Sequence, residues 1–227
     1  MIDSSDICII LTSTIHTQDY KIALHQRDKN ERLECYLKAV RQWIENTNFR
    51  LVLVENTGYL WPELNQYVEQ HAGRFKICSF NEDLEEDAKY LKGDQSKGTS
   101  EMFAIDYAYR NVPFVKSSKY ILKITGRYYI PELEVYLQSQ PLERYGAIRQ
   151  NCPDRCELLG CRPDFFDVVL NKKSLDKDGN RQGHVENVYK YRIDSITKQY
   201  YLPVLVCKEF GIESTRRGGC HDHYNRI

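Results

Sequence analysis

Long apolar runs are missing from this 227-residue chain: no window approaches the ~18 consecutive apolar residues of a membrane-spanning helix. The amino terminus, Met-Ile-Asp-Ser-Ser-Asp, carries no basic stretch ahead of the short apolar run Ile7 to Leu11, so no secretory leader is expected. The expectation is a soluble protein made and kept in the cytoplasm, with no integral membrane segment. Net charge is absent too. The 32 Lys and Arg residues balance 32 Asp and Glu, leaving no global field to draw the chain to nucleic acid or to an acidic membrane. Repeats, low-complexity tracts and linker-like stretches are lacking, which points to a single domain over residues 1–227.

The usual phosphate-binding fingerprints are absent as well. No Gly-x-Gly-x-x-Gly follows the first apolar strand, which argues against a dinucleotide site of the usual kind. Gly93-Asp94-Gln95-Ser96-Lys97-Gly98-Thr99-Ser100 superficially resembles a P-loop, but no lysine follows its second glycine. What the segment does offer is a helix start with a lysine beside it, at Lys97-Gly98, and such a terminus favours anions. An ordinary capped helix, starting at Thr99 or Ser100, fits the same residues.

What is present reads as alternating strands and helices. Apolar or β-branched runs predict strands at Ile7–Thr12, Phe49–Glu55, Phe75–Phe80 and Tyr120–Ile124. Between them, helical spacing appears in Leu33, Tyr36, Leu37, Val40, Trp43 and Ile44 after an Asn30 cap. It recurs from Trp61-Pro62 to His71, and again in Met102, Phe103, Ile105 and Ala108. A βαβαβαβ order implies an α/β fold with a mostly parallel sheet covered by helices. The remainder is less regular: a strand near Tyr145–Arg149, a short helix at Pro163–Leu170, a helix from His184 or Val185 through Tyr191, a strand at Tyr200–Val206, then a polar tail from Arg216.

Ligands of open α/β sheets bind beyond the carboxyl ends of the strands. The strand Tyr120–Ile124 runs into Thr125-Gly126-Arg127-Tyr128-Tyr129, so Arg127 stands where an anionic group, such as a diphosphate, would sit. Tyrosine supplies 17 of the aromatic residues. It suits both half-buried strand positions and stacking on sugar rings.

Taken together, these elements resemble small nucleotide-sugar glycosyltransferases of the GT-A type. Leu122-Lys123-Ile124-Thr125-Gly126-Arg127-Tyr128 is similar to a segment of surface-glycan transferases from bacteria and large DNA viruses. The resemblance covers most of the chain in element order, and residues 97–131 in motif. It implies a nucleotide-sugar-binding half over 1–130 and an acceptor-binding half with a tail over 131–227. It further implies a nucleotide-sugar donor held by Thr12, Ser13, Thr14 and Glu55, and a glycan acceptor contacted by Tyr128, Tyr129 and Arg162.

One departure stands out. Such enzymes end the central strand in Asp-x-Asp, which holds Mn²⁺ or Mg²⁺ against the diphosphate, whereas this chain has Thr125-Gly126-Arg127. The literal Asp176-Lys177-Asp178 reads as a surface turn. Lys97, Arg127, Arg216 and Arg217 would instead meet the leaving-group charge, so metal independence is expected, with His221 and His223 as the alternative metal ligands. An inverting transfer also needs a general base, for which Glu186 is the first choice and Asp164 the second, although either acid also suits a helix start. A competing reading is a glycan-binding or zinc-stabilised module. Its ligands would come from Cys152, Cys156, Cys161 and Cys220, while Cys8, Cys35, Cys78 and Cys207 lie in core-like surroundings.

Overall fold

The computed structural model of the chain describes residues 2–22, 26–175, 178–182, 184–216 and 222–227. In chain order the elements are β1 (Ile7–Ser13), α1 (Lys29–Asn46), β2 (Arg50–Glu55), α2 (Asn65–Gln70), β3 (Phe75–Ser79), α3 (Lys97–Asn111), α4 (Pro113–Lys116) and β4 (Tyr120–Thr125). There follow α5 (Leu133–Gln138), β5 (Ala147–Arg149), β6 (Leu158–Cys161), α6 (Phe166–Val169), α7 (Val185–Tyr200), β7 (Val204–Val206), β8 (Gly211–Arg216) and β9 (His223–Arg226). A 7-stranded sheet runs β3-β2-β1-β4-β6-β5-β7. Its first four members are parallel, β6 is antiparallel to both neighbours, and β7 is parallel to β5. The fold is therefore α/β and GT-A-like, with a mostly parallel central sheet flanked by helices.

The two sheet faces bury separate cores. Every residue of β1 is buried, as expected of an interior parallel strand covered on both sides. Ile7, Ile9 and Leu11 meet Tyr36, Val40, Trp43 and Ile44 of α1, whereas Cys8 and Ile10 join Met102, Phe103 and Ile105 of α3 and Val188, Tyr189 and Ile193 of α7. Asp28, not Asn30, caps α1 by accepting from the Glu31 N–H at 2.7 Å. Trp43 ties α1 to the functional end of the sheet, because its indole N–H donates to the Tyr128 carbonyl at 2.8 Å.

Four features of the chain differ from the sequence expectations. α3 starts at Lys97 behind a Ser96 cap, not at Thr99 or Ser100. β6 was not foreseen, since four residues with one glycine carry little strand signal. α7 continues past Tyr191 to Tyr200. Part of the polar tail forms the antiparallel pair β8–β9.

Among the described residues, Cys152, Cys156 and Cys161 are not part of any group placed to hold a metal ion. Cys156 and Cys161 bracket β6 from opposite ends and are buried in the core, where burial pushes both thiols far up. Cys220 lies outside the described residues. No helix among the described residues is long and apolar enough to cross a membrane.

Candidate active site

A cleft of about 560 Å³ opens at the carboxyl ends of β1, β2 and β4. Glycine sets its floor. A Cβ at Gly126 would lie 2.7 Å from the Thr12 carbonyl oxygen, which instead accepts the Gly126 N–H at 2.9 Å. Only glycine lets the chain leaving β4 cross the end of β1 so closely, and Arg127 follows it directly into the cleft. A second close approach joins two helices: a Cβ at Gly98 would sit 2.4 Å from Val185 Cγ2, so the first turns of α3 and α7 touch. Both turns line the cleft, and neither cap residue, Ser96 or His184, caps its helix with its side chain. Two positive helix ends thus converge on one space.

A buried hydrogen-bond chain fixes the loops beneath. Thr14 Oγ1 donates to Asn56 Oδ1 at 2.7 Å, and Asn56 Nδ2 donates to Glu82 Oε2 at 2.9 Å. Glu82 Oε1 accepts from Ser100 Oγ at 2.8 Å, which in turn accepts from Lys21 Nζ at 2.8 Å. The loop after β1, the end of β2, the segment after β3 and the start of α3 therefore hold one another. Asp94 completes the approach to α3, its Oδ1 accepting from Ser96 N at 3.0 Å and its Oδ2 from Thr99 Oγ1 at 2.5 Å and from Arg181.

Two guanidiniums dominate the electrostatics. Arg32, 3% exposed, donates to the Thr14 carbonyl (2.7 Å), the Gln26 carbonyl (3.0 Å) and Tyr36 Oη (3.3 Å). Arg127 donates to Gln26 Oε1 at 3.1 Å, lies over the Tyr36 and Tyr128 rings at 5.8 and 5.9 Å, and leaves a buried Nε without a partner. Among the described residues no carboxylate pairs with either. Burial is the main cause that pulls the Arg32 pKa below the usual arginine value; Tyr36 opposes it and the Arg127 charge adds to it. Burying the Arg32 charge is costly, and an anionic ligand would offset that cost. Arg127 is half-buried; burial works to lower its pKa, but Tyr36, Tyr128, Cys35 and Glu101 together outweigh it and raise it.

On the far side of the floor a charged pair is complete. Lys123, wholly buried in β4, lies 2.9 Å from Glu101 Oε1 and donates to the Cys156 carbonyl at 2.5 Å. Glu101 Oε1 also accepts from Thr12 Oγ1 at 2.6 Å. Burial, the largest single influence, works to lower the Lys123 pKa, but Glu101, Cys156 and Glu157 together outweigh it and the pKa is raised.

The cleft brings together Thr12, Ser13, Thr14, Lys97, Arg127, Tyr128 and Glu186 from the expected set. Others lie elsewhere. Glu55 is fully buried below the loop it organises, its carboxylate accepting from the backbone N–H groups of Ile15 (3.0 Å), Thr57 (2.8 Å) and Tyr59 (2.8 Å). Its neighbour Asn56 lines the cleft instead.

Arg162 and Asp164 are at the wrong end of the sheet. Because β6 is antiparallel to β4, with Leu158 opposite Ile124 and Cys161 opposite Ile121, the chain carries them away from the cleft, where they pair with each other. Tyr129 packs edge-on against Trp43 at 5.0 Å and, with Arg216 and His223, lines a separate cavity of about 180 Å³ that shares only Arg127 with the cleft. Arg216 pairs there with Glu31 at 3.1 Å. Arg217, His221, Asp176 and Lys177 lie outside the described residues.

Sequence reasoning passed over Arg32, Glu101, Lys123 and Glu157, all but Lys123 in the cleft wall. The one available signal was a lysine in the apolar run Tyr120–Ile124. Asp94 pairs with Arg181 and Glu101 with Lys123, and among the described residues no group of three or more His, Cys, Asp or Glu side chains is placed to hold a metal ion.

No family model matches the chain, and no curated protein matches it significantly in sequence. Solved structures do resemble it. The glycosyltransferase GlyE of Streptococcus pneumoniae TIGR4 superposes over 90% of this chain and 45% of its own, at 8% identity and a TM-score of 0.50. A protein of Desulfovibrio desulfuricans G20 named for nucleotide-diphospho-sugar transfer covers 90% of this chain and 80% of its own, at 14% identity and a TM-score of 0.48. A glycosyltransferase involved in glycosylation of the major capsid of PBCV-1 covers 88% and 81%, at 13% identity and a TM-score of 0.40. The chain spans less than half of GlyE, and at such identities the likeness is one of fold: a GT-A-like glycosyltransferase architecture.

Proposed function

We propose that the chain is a glycosyltransferase that moves a sugar from a nucleoside-diphosphate donor to a hydroxyl of a glycan acceptor, with inversion. The observation that carries this reading is the Arg32–Arg127 pair, two guanidiniums without a carboxylate partner among the described residues, set in a cleft where two helix N-termini meet. A diphosphate supplies the missing negative charge. When the sugar C1–O bond breaks, its electron pair goes to the diphosphate oxygen. Arg127, Arg32, Lys97 and the helix ends meet that growing charge without a divalent metal.

Glu186, in the first turn of α7 and in the cleft wall, is the proposed general base. It takes the proton of the acceptor hydroxyl as the oxygen attacks C1 from the face opposite the leaving group. Tyr128 and the smaller cavity beside Tyr129 and Arg216 flank the acceptor's approach.

A thermal-shift screen tests this reading, using UDP, GDP, TDP and CMP and their common sugar conjugates, in EDTA or in Mn²⁺. Ligands that bind only the native state raise the melting temperature. The expected result is a selective shift with one nucleotide that persists in EDTA. A shift confined to Mn²⁺ would remove the metal-free part of the reading, and no shift with any nucleotide would remove the donor.

A further inference from the structure

Position 123 is the one place where β4 breaks its own pattern. Its strand neighbours in register are Ile10 of β1 and Leu159 of β6, and the residues on either side are Leu122 and Ile124. An apolar side chain there would satisfy the fold, and a buried ion pair is often no more stabilising than a well-packed apolar substitute. The lysine present is wholly buried and spends its ammonium on Glu101 Oε1 (2.9 Å), the Cys156 carbonyl (2.5 Å) and Thr125 Oγ1 (3.3 Å). Its effect falls on Glu101. That carboxylate lines the cleft with its side chain 20% exposed, and Oε1 is doubly held, by Lys123 and by Thr12 Oγ1 at 2.6 Å. Among the described residues nothing bonds Oε2.

A carboxylate fixed by one oxygen and open at the other can only accept a hydrogen bond. The ligand chemistry that fits is a hydroxyl. Glu101 lines the cleft together with Glu157 and with Glu186, the proposed base. We propose that Glu101 is a specificity-determining residue that accepts a hydrogen bond from one hydroxyl of the transferred sugar, and that Lys123 is the positioning residue that aims it. This rests on the glycosyltransferase reading. It makes the chain selective for a donor sugar that keeps that hydroxyl, against its deoxy counterpart.

The test is a double-mutant cycle on ligand and protein. The variants are Glu101→Gln, Lys123→Met, and both together, the last removing the two charges as a pair so that the core is not left with one unmatched. The ligands are the best-binding nucleoside diphosphate from UDP, GDP and TDP, its 2′-deoxyribose form, its sugar conjugate, and the 2-, 3-, 4- and 6-deoxyfluoro forms of that sugar. The wild-type protein is expected to bind one deoxyfluoro form about tenfold or more weakly than the parent conjugate, the scale of a hydrogen bond to a charged group. The double variant should treat that form and the parent alike while still binding the nucleoside diphosphate, and Lys123→Met should lie between.

A double variant that keeps the wild-type preference would overturn the assignment while leaving the glycosyltransferase reading intact. Loss of discrimination confined to the 2′-deoxyribose nucleotide would also overturn it, by moving Glu101 to the ribose. A wild-type protein that binds no nucleoside diphosphate would overturn the underlying reading, and this one with it.

Discussion

The two ends of the sheet carry the same side chains under different terms. At the end where the antiparallel strand β6 runs out, Arg162 meets Asp164 two residues later and its guanidinium is matched by a carboxylate, Nε to Oδ1 at 3.1 Å. At the opposite end, Arg32 and Arg127 share a cleft and find carbonyls, an amide oxygen, a phenol and two rings, but no carboxylate among the described residues. Partly exposed pairs of the first kind contribute little either way. In the second arrangement the buried Arg32 charge is costly until an anion arrives. An arginine's role is therefore read from what surrounds it and what is missing there, more than from its position in a motif.

That contrast can be broken at several points. The largest effect is expected from Glu186→Gln, which keeps the shape and removes the proposed base: kcat should fall about 10²- to 10⁴-fold with donor affinity nearly unchanged, as steady-state kinetics and titration would report. An unchanged kcat would take Glu186 out of the mechanism. Arg127→Met comes next. Loss of one or two charge-assisted hydrogen bonds should weaken nucleoside diphosphate binding by about 10- to 100-fold. Arg162→Ala at the other end should change donor affinity and turnover by less than about twofold. A large loss there would erase the distinction between the two ends.

The smallest effect concerns alkaline stability. Burial works against the Lys123 charge, but Glu101, with Cys156 and Glu157, outweighs it and raises the folded-state pKa above the ordinary 10.5. A raised pKa means that the contribution is complete below pH 10.5 and is lost as pH climbs through the folded value. Melting curves between pH 9 and 12 should therefore fall more steeply for the wild type than for the Glu101→Gln, Lys123→Met double variant, with no divergence near neutrality.

Much of the frame was legible because it is local. Apolar or β-branched runs located β1, β2, β3 and β4 to within a residue or two, and the spacing of Tyr36, Val40, Trp43 and Ile44 located α1. Arg127 was legible for a similar reason, since a glycine followed by a cation at a strand end is a sequence event. The partners of that cation were not. Arg32 lies 95 positions away on α1 and reads as an ordinary helix-surface residue; only the packing of α1 against β1 turns it inward.

Glu55 lies outside the cleft lining for the opposite reason. Its position at the end of β2 was read correctly, but no spacing rule reveals that three backbone N–H groups would use its carboxylate. Asp164 and Arg162 lie far from the cleft because of direction: β6, antiparallel to β4, delivers its carboxyl end to the other end of the sheet. In each case the missing information was which long-range neighbour a residue would meet.

The most direct measurement is a calorimetric titration of wild type and Arg127→Met with UDP, GDP and TDP in EDTA, at low and at high salt. The arginine-pair account predicts that one nucleotide binds the wild type without divalent metal, that its affinity falls as salt rises, and that Arg127→Met loses most of it. Equal affinity in the two proteins, or binding to the wild type only when Mn²⁺ is restored, would contradict it.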